Sequence, residues 1–437
     1  GSSWSLFSLF GRVNYDYKGK YLVEGTVRRD GSSRFGANTR YGLFPAASVG
    51  WTITEEDFMQ GVGWLNFLKM RAGWGMSGND RIGNYNSYTT YASNKYTAGY
   101  ALDGSNTAAA TGFQPSALGN PDVTWETTTT MNVGIDAMLI NNNMTFAFDL
   151  WQRNTSDMLF QQPIPNVVGL ASPPYVNIAE MKNTGFDLEL GYRNTGLEGK
   201  FRYSLKLTLS HYTNEITKLA PGVNYIGGTS ERQVEYSRAY VGSAFPEFYG
   251  YEVEGIFQSE TEAAAHPAFG NTTYNAPGHF KYKNQLTIDS DGDGVMDESD
   301  DVITPADMTF IGNPHPDITG GLNVDLGYGN FDLNVFFYGS YGNEIINYVT
   351  RWIDYGQFNG GLSKNALYKT WGSPYLDNNA DATLPMLDQN SNSQNSNSAF
   401  VEDGSFLRLK TLRLGYSLPK DFLGKAQIKS LSLYVQM

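Results

Sequence analysis

The chain has 437 residues, contains no cysteine and carries a formal net charge of -13. The lack of cysteine excludes disulfides and thiol chemistry from these residues, and the negative charge argues against nucleic acid as a partner. The mean hydropathy is -0.38 although 14% of the residues are aromatic, so apolar residues are interleaved with polar ones. No run approaches the roughly 18 apolar residues of a membrane-spanning helix. This composition is instead expected of a β-barrel, whose lipid-facing and lumen-facing residues alternate.

The first predicted element is a hairpin near the amino end. Residues 12–17 alternate between polar and apolar side chains, and after a short turn residues 21–28 alternate again. The same pattern recurs at 131–150, at 186–209 and in the final arm at 431–435. Alternation with a period of two is typical of a strand with one polar and one apolar face. We therefore predict an all-β fold of about twelve to fourteen antiparallel strands.

The clearest hairpin lies at 318–341, where two alternating arms flank a tight turn at Gly329 and Asn330. Each arm has about ten residues, which is the length that a tilted strand needs to cross a membrane. One face of the hairpin carries mostly apolar side chains and the other carries polar ones. The sequence therefore predicts a transmembrane antiparallel β-barrel with long extracellular loops.

Short turns alternate along the chain with long connections, which are predicted to be extracellular because such barrels have short periplasmic turns. The long segments are 30–42, 77–126, 156–183, 213–317 and 343–401. Within the last segment, the Asn- and Ser-rich tract 390–398 is predicted to be a mobile surface loop that buries no core. The segment 54–64 is predicted to form a short helical turn at the periplasmic rim, and no other helix is expected.

The sharpest local motif is an acidic loop at 289–300, inside the predicted extracellular segment 213–317. Its acidic and carbonyl ligands match positions one, three, five, seven, nine and twelve of a calcium loop, with glycine at position six. The candidate ligands are Asp289, Asp291, Asp293, Val295, Asp297 and Asp300. Glu298 or Asp301 could replace Asp300 as the last ligand, and the alternative interpretation is a solvated acidic turn. We expect a structural Ca²⁺ here because no flanking helices are evident.

Other motifs do not indicate catalysis. The glycines at 73–78 match a dinucleotide fingerprint, but they follow an alternating strand and no helix opens there to receive a pyrophosphate. The four histidines lie far apart in sequence and have no zinc spacing. A nucleophile elbow is also absent from the sequence. The chain is therefore not expected to be an enzyme.

Several loop aromatics are weak candidates for binding a substrate or a lid protein. They are Tyr249, Tyr251, Trp352 and Tyr355, with Phe358 and Trp371 nearby. Their rings could stack on sugar faces, but an interfacial girdle or ordinary loop packing is the favoured interpretation. Inward charges such as Arg12, Lys69 and Arg71 would line the lumen or contact a plug, and they do not identify a substrate.

Several stretches, taken in order over nearly the whole chain, resemble one known family. They lie at 11–17, 28–36, 68–75, 248–257, 311–314 and 405–410. They include Gly11-Arg12-Val13-Asn14-Tyr15-Asp16-Tyr17, Ile311-Gly312-Asn313-Pro314 and Ser405-Phe406-Leu407-Arg408-Leu409-Lys410. In this order the chain resembles the SusC-like TonB-dependent outer-membrane transporters of the Bacteroidetes, the RagA/SusC type.

The resemblance implies a barrel of about 22 strands in the outer membrane of a Gram-negative bacterium. It also implies a plug domain, a TonB box energised by TonB–ExbB–ExbD, and a SusD-like surface lipoprotein that closes over the extracellular mouth. Oligosaccharides or peptides are the implied cargo. Neither plug nor TonB box is recognisable in this sequence, so we expect 1–437 to be the middle-to-late part of the barrel of a longer polypeptide. A small complete barrel is the alternative.

Two other functions stay open from the sequence alone. A calcium-stabilised all-β surface protein that mediates adhesion or another interaction would be soluble without detergent. A passive porin would lack a plug and would conduct ions without an energy source. Both differ from an energised importer in properties that can be measured.

Overall fold

The computed structural model describes most of the chain. The described residues are 2–93, 99–100, 104, 110–162, 164, 169, 171–197, 201–228, 230–231, 234–270, 275–356, 360–388, 392–419 and 428–437. The chain divides into two compact units, which we call the sheet unit and the loop unit. The sheet unit comprises Gly1–Asn224, Ile318–Gly339 and Leu407–Met437, and the loop unit comprises Tyr225–Asp317 and Ser340–Phe406.

A twelve-stranded antiparallel sheet forms the sheet unit, and each strand pairs with the next one along the chain in the described residues. The strands are β1 Leu6–Tyr17, β2 Tyr21–Ser32, β3 Tyr41–Thr52, β4 Leu65–Asn79, β5 Glu126–Leu139, β6 Met144–Gln161, β7 Tyr175–Leu197, β8 Phe201–Leu219, β9 Ile318–Tyr328, β10 Phe331–Tyr341, β11 Phe406–Ser417 and β12 Ser432–Gln436. This meander confirms the predicted fold class, and its strand number agrees with the prediction. The glycines at 73–78 lie within β4, as the strand interpretation requires.

The register of the sheet gives it two chemically different faces. Tyr15 lies opposite Val23, and Val23 lies opposite Val49, so bulky apolar side chains continue across β1, β2 and β3. These three side chains are exposed, as are Val133 and Leu150 further along the same face. We call this the apolar face. The side chains between them point to the opposite polar face, because successive residues of a strand alternate.

The connections alternate in length, as the sequence predicts. At one end of the sheet the strands are joined by short segments, including 18–20, 140–143 and 329–330. At the other end they are joined by long segments, including 80–125, 220–317 and 342–405. The predicted helical turn in 54–64 takes the form of two 3₁₀ helices, Ile53–Glu55 and Asp57–Met59.

A small core stabilises the long connections of the sheet unit. Phe35, Phe44, Ile82, Val123 and Trp125 are buried together, and the Trp125 indole donates a hydrogen bond to the Arg40 carbonyl at 3.1 Å. Two short pairs of strands lie in the connection between β4 and β5. They are Thr90–Ser93 with Phe113–Ala117 and Gly99–Tyr100 with Ala110–Thr111.

The loop unit contains short strands and short helices. A four-stranded sheet joins Ile226–Gly227, Ser237–Ala239, Glu247–Gly250 and Thr309–Gly312 in that order. The smaller pairs are Ser230–Glu231 with Val234–Glu235, Val253–Ile256 with Phe280–Tyr282, Ala268–Phe269 with Val302–Ile303 and Glu344–Ile346 with Val401–Asp403. Four 3₁₀ helices lie at Pro305–Asp307, Asn379–Asp381, Asn392–Gln394 and Ser398–Phe400.

Three short α-helices correct the expectation that no other region is helical. They are α1 Glu260–Ala265, α2 Thr350–Ile353 and α3 Lys364–Lys369. Ser259 and Ser363 cap α1 and α3 by accepting hydrogen bonds from backbone amides in the first turn. Each helix has at most six residues, so its periodicity is too brief to stand out in the sequence. In the part of the chain that the structure describes, no helix has the length and apolar character to cross a membrane.

The tract 390–398 does not behave as predicted, because its described residues 392–398 belong to the interior of the loop unit. Asn392, Ser393 and Asn397 are each at most 1% exposed. The Asn392 side chain accepts a hydrogen bond from the Phe280 backbone amide at 3.1 Å and donates one to the Phe280 carbonyl at 2.7 Å. Hydrogen bonds to backbone groups replace water, so polar side chains can be buried here. Asn390 and Ser391 lie outside the described residues.

Candidate functional site

The acidic loop 289–300 projects from a small backbone bridge in the loop unit. Ile288 and Glu298 form an isolated antiparallel bridge, in which the Ile288 amide donates to the Glu298 carbonyl at 2.9 Å. The Asp297 amide donates to the Ile288 carbonyl at 2.9 Å. The two ends of the loop are thereby held together, and its side chains lie at the surface.

Three of the predicted ligands converge inside this loop. One carboxylate oxygen from each of Asp289, Asp291 and Asp293 lies within 4.8 Å of the others. The Asp289 carboxylate accepts hydrogen bonds from the amides of Gly292 at 2.7 Å and Gly294 at 2.9 Å. These glycines have φ angles of 80° and 90°, which side chains other than glycine rarely adopt. The glycines therefore allow the chain to fold back around the Asp289 carboxylate.

The other three predicted ligands are placed differently. Asp297 accepts hydrogen bonds from the backbone amide and the hydroxyl of Ser290, at 3.0 and 2.8 Å. These bonds hold the pKa of Asp297 below its usual value. Asp300 accepts from the Val302 amide at 2.9 Å. Among the described residues neither carboxylate joins the group of three, and the side chain of Val295 is exposed.

The three gathered carboxylates define what this loop can bind. Within the described part of the chain, no Lys or Arg forms an ion pair with Asp289, Asp291 or Asp293. Like charges held so close repel one another unless a cation or water separates them. A hard divalent cation with a preference for oxygen ligands fits this donor set.

The candidate aromatic residues are mostly packed inside the loop unit. Tyr251 is 5% exposed and Tyr355 is 1% exposed, and both belong to its hydrophobic core. The Tyr251 ring packs on Tyr282 with centroids 4.9 Å apart. Such positions are those of ordinary core packing, so we do not propose ligand contacts for Tyr251 or Tyr355. Phe358 lies outside the described residues.

The remaining candidates are Tyr249, which is buried, and Trp352 and Trp371, which are half-buried. Tyr249 is 9% exposed. Its ring centroid lies 5.7 Å from that of Phe310 and 4.5 Å from the central carbon of the Arg238 guanidinium. Trp352 is half-buried and contacts the Tyr348 ring at 5.9 Å. Neither arrangement forms an open platform for a sugar ring.

On the polar face of the sheet unit, Arg71 links three neighbouring strands. Its guanidinium lies 2.9 Å from an Asp136 oxygen on β5 and 2.5 Å from an Asp149 oxygen on β6. All three side chains are roughly a third exposed or less. Alternation in the sequence predicts that Arg71 lies on an inward face. The sequence does not predict its pairing with Asp136 and Asp149, because a long connection separates β4 from β5. Only the strand pairing brings them together.

A second constellation missed by the sequence reasoning lies at the short-turn end of the sheet. Glu56 accepts hydrogen bonds from the Tyr21 hydroxyl at 2.6 Å, the Trp51 indole at 3.0 Å and the Lys20 ammonium at 3.3 Å. The bonds from Tyr21 and Trp51 are the main cause that lowers the pKa of Glu56. The sequence signal was weak, since Glu56 is one of 44 acidic residues.

The exposed apolar face, the opposing polar face and the alternation of short and long connections together define a transmembrane β-barrel. Residues 2–436 match the family described as TonB dependent receptor-like, beta-barrel. The chain therefore belongs to this family, and it forms barrel strands in the outer membrane of a Gram-negative bacterium. The predicted family resemblance and location are confirmed.

The similar proteins include TonB-dependent receptors of the SusC-like type that the sequence resembles. TonB-dependent receptor P3 of Formosa agariphila is 34% identical over 435 residues, covering 98% of this chain and 40% of that protein. TonB-dependent receptor SusC of Bacteroides thetaiotaomicron is 28% identical over 421 residues, covering 94% of this chain and 38% of SusC. The chain thus spans about 40% of the length of these relatives.

A solved structure shows the same fold. The RagAB peptide transporter structure matches 99% of this chain and 43% of its own chain, with 27% sequence identity and a TM-score of 0.78. The same transporter in its open-open state matches with a TM-score of 0.76. The strand arrangement of the sheet unit is therefore that of a known transporter barrel.

Proposed function

We propose that this chain is the partial barrel of an outer-membrane nutrient importer that takes up its ligand by TonB-dependent active transport. The observation that carries the proposal is the family match over residues 2–436, which covers both the sheet unit and the loop unit. The two-faced sheet supports it, because one face suits lipid and the other suits a hydrated lumen. Transport by such a barrel needs energy from the inner membrane through TonB–ExbB–ExbD.

The proposed partner at the extracellular side is a SusD-like surface lipoprotein. The likeness to SusC and to the RagAB transporter supports a two-component system. The long connections of the chain, with the loop unit among them, supply the surface on which such a lid would rest. In this orientation the short-turn end of the sheet faces the periplasm.

The proposed cargo is an oligosaccharide or a peptide. The likeness to the RagAB peptide transporter supports a peptide as cargo. The likeness to SusC supports a nutrient importer but does not distinguish the two cargoes. The described residues offer no exposed aromatic platform at the positions predicted for sugar binding. We propose no catalytic function, because the family consists of transporters and the ionisable clusters described above are ion pairs and hydrogen-bonded carboxylates.

We also propose that the loop 289–300 binds a structural Ca²⁺ through Asp289, Asp291 and Asp293. The convergence of the three carboxylates supports it, as does the fold of the glycines around Asp289. The Val295 carbonyl and Asp297 are the further proposed ligands, and the last ligand is one of Asp300, Glu298 and Asp301. Calcium titration of the purified protein, with Mg²⁺ as the competing cation, tests this site separately from transport.

Purification of the native polypeptide from outer membranes tests the proposed assembly. Intact mass and terminal sequencing are expected to give a chain much longer than 437 residues, accompanied by a co-purifying lipoprotein. A polypeptide that is soluble without detergent would instead support the calcium-stabilised surface protein. A membrane-embedded polypeptide without any partner would favour the porin.

A further inference from the structure

The connection between β3 and β4 is attached to the apolar face of the sheet. Tyr21 and Trp51 lie opposite each other in the register of β2 and β3, and both side chains belong to that face. Glu56, in the connection, accepts hydrogen bonds from both. The connection therefore folds towards the lipid-facing side of the rim, not into the lumen.

Two large apolar side chains of this connection are left uncovered. Phe58 is 68% exposed and Trp64 is 62% exposed. The Trp64 carbonyl accepts a hydrogen bond from the Ile140 amide at 2.9 Å, so the connection is joined to the next short turn, where Ile140 is also exposed. Exposed apolar groups of this size are costly in water and are stabilised by contact with hydrocarbon.

Polar groups accompany these side chains in the way that a membrane interface favours. The Lys18 ammonium lies at the same rim, 5.3 Å from the centre of the Tyr17 ring. Tyr17 and Tyr21 stack with their centroids 6.4 Å apart. Aromatic rings and basic side chains are concentrated where lipid headgroups meet the hydrocarbon. The Asp57 side chain, next to Phe58, is 92% exposed and keeps a charge available to water.

We propose that residues 53–64 form an interfacial anchor that inserts Phe58 and Trp64 into the phospholipid leaflet at the short-turn end of the barrel. Glu56 is the positioning residue, because it holds the connection against Tyr21 and Trp51. Lys18 binds the lipid phosphates. The occupant is a phospholipid, because the anchor is continuous with the face that meets lipid. The inference rests on the outer-membrane location and is independent of the cargo.

Spin-label accessibility tests the anchor directly. These 437 residues contain no cysteine, so Phe58→Cys and Trp64→Cys each introduce a single thiol into them, and Asp57→Cys provides the matched neighbouring control. Any cysteine elsewhere in the complete protein is first replaced by serine. Each labelled protein is reconstituted in nanodiscs of phosphatidylethanolamine and phosphatidylglycerol. Collisions of the nitroxide with oxygen and with a water-soluble nickel chelate are then compared. Labels at 58 and 64 are expected to favour oxygen, and the label at 57 is expected to favour nickel.

Two results would overturn the anchor. In one, the label at 58 and the label at 64 each collide with the nickel chelate as readily as the label at 57, which would place the connection in water. The other is a label shielded from both oxygen and nickel, which would show a protein covering the site. The role of Glu56 is tested by adding Glu56→Ala, which removes the acceptor of the Tyr21 and Trp51 hydrogen bonds, to the Phe58→Cys protein. Its oxygen preference is expected to decrease several-fold, and an unchanged preference would refute the positioning role.

Discussion

Arg71 and Asp149 form a bidentate ion pair across the polar face of the sheet, with nitrogen-to-oxygen distances of 2.5 and 2.6 Å. The same guanidinium also contacts both oxygens of Asp136, at 2.9 and 3.2 Å. One cation therefore balances two carboxylates from two neighbouring strands. A planar guanidinium suits this arrangement because its donors match carboxylate geometry in pairs.

Replacement of Arg71 is expected to destabilise the sheet unit. In Arg71→Met, the Asp136 and Asp149 carboxylates lose their common partner and repel each other. Since these groups are partly exposed to solvent, we expect the free energy of unfolding to fall by about 1 to 2 kcal/mol. The protein is unfolded with guanidinium chloride in lipid vesicles, and tryptophan fluorescence measures the change in the free energy of unfolding.

Arg12 supplies the matched control, because it lies on the same face and pairs with Glu24 at 2.6 Å in a more exposed setting. Arg12→Met is expected to change the free energy of unfolding by less than about 0.5 kcal/mol. Adding Asp149→Asn to Arg71→Met is expected to restore part of the loss. Equal effects of the two arginine substitutions would contradict the proposed importance of Arg71.

Asn392 is expected to be a major contributor to the stability of the loop unit. Asn392→Ala leaves the buried amide and carbonyl of Phe280 without the partners that they have in the native protein. Such unsatisfied groups cost roughly 1 to 3 kcal/mol each, so a loss of about 2 to 4 kcal/mol is predicted. The measurement is the unfolding midpoint in denaturant.

Asn347 is the control for Asn392. Its amide donates a hydrogen bond to Glu402 at 2.7 Å, but the pair lies at the surface, where water can replace it. Asn347→Ala is expected to cost less than about 0.5 kcal/mol. If Asn392→Ala were equally mild, the tract 392–398 would not be the interior element described above.

Asp293→Asn is expected to weaken Ca²⁺ binding at least about tenfold, equivalent to about 1.4 kcal/mol. The amide oxygen of asparagine can still accept the hydrogen bond that Asp293 receives from the Val295 amide at 2.7 Å. The loop should therefore keep its shape while it loses one charged ligand. Isothermal titration calorimetry with CaCl₂ measures the affinity.

Glu298→Gln tests which residue completes the metal site, since the Glu298 carboxylate is a candidate ligand outside the group of three. A modest effect of this substitution is compatible with Asp300 or Asp301 as the last ligand, and a large one assigns that role to Glu298. The calcium proposal itself is contradicted if the unsubstituted protein shows no saturable binding of Ca²⁺.

Acid is expected to destabilise the loop unit through His315. Burial lowers the pKa of His315, against an opposing hydrogen bond between its Nε2 and the Phe245 carbonyl at 3.1 Å. The unfolded chain then binds a proton more readily than the folded one, so stability falls as the pH drops below the unfolded value of about 6.5. The loss levels off once the pH is below the folded pKa.

Burial also raises the pKa of Glu247, which works in the opposite direction and favours the folded state in acid. Comparison of the protein with His315→Gln isolates the histidine contribution from that of Glu247. The unfolding free energy, measured from about pH 8 to about pH 5, should decline less in His315→Gln than in the unsubstituted protein. An identical decline would show that His315 does not titrate with folding.

The sheet was largely predictable because a strand period of two reveals both faces from local sequence. The hairpin β9–β10 is an example, since its alternation and its Gly329 turn agree with the structure. By contrast, the loop unit was poorly predictable. Asn392 is polar in a polar tract, and only the distant Phe280 backbone explains why it is buried.

Only part of the candidate site followed from sequence spacing. Asp289, Asp291 and Asp293 come together because they alternate within a single turn, so local geometry is enough. Glu56 illustrates the opposite case, since its contacts with Tyr21 and Trp51 depend on the pairing of β2 and β3. Contacts between strands depend on register, which local patterns do not specify completely.

Uptake under controlled energisation tests the central claim most directly. Cells that express the complete protein with its lipoprotein partner are given labelled peptide and oligosaccharide mixtures, with and without an uncoupler that collapses the proton-motive force. Energised import predicts that one mixture accumulates and that the uncoupler, or deletion of TonB, abolishes its accumulation. Entry that persists without the proton-motive force, and that only equilibrates the mixture with its external concentration, would contradict active transport and identify a passive porin.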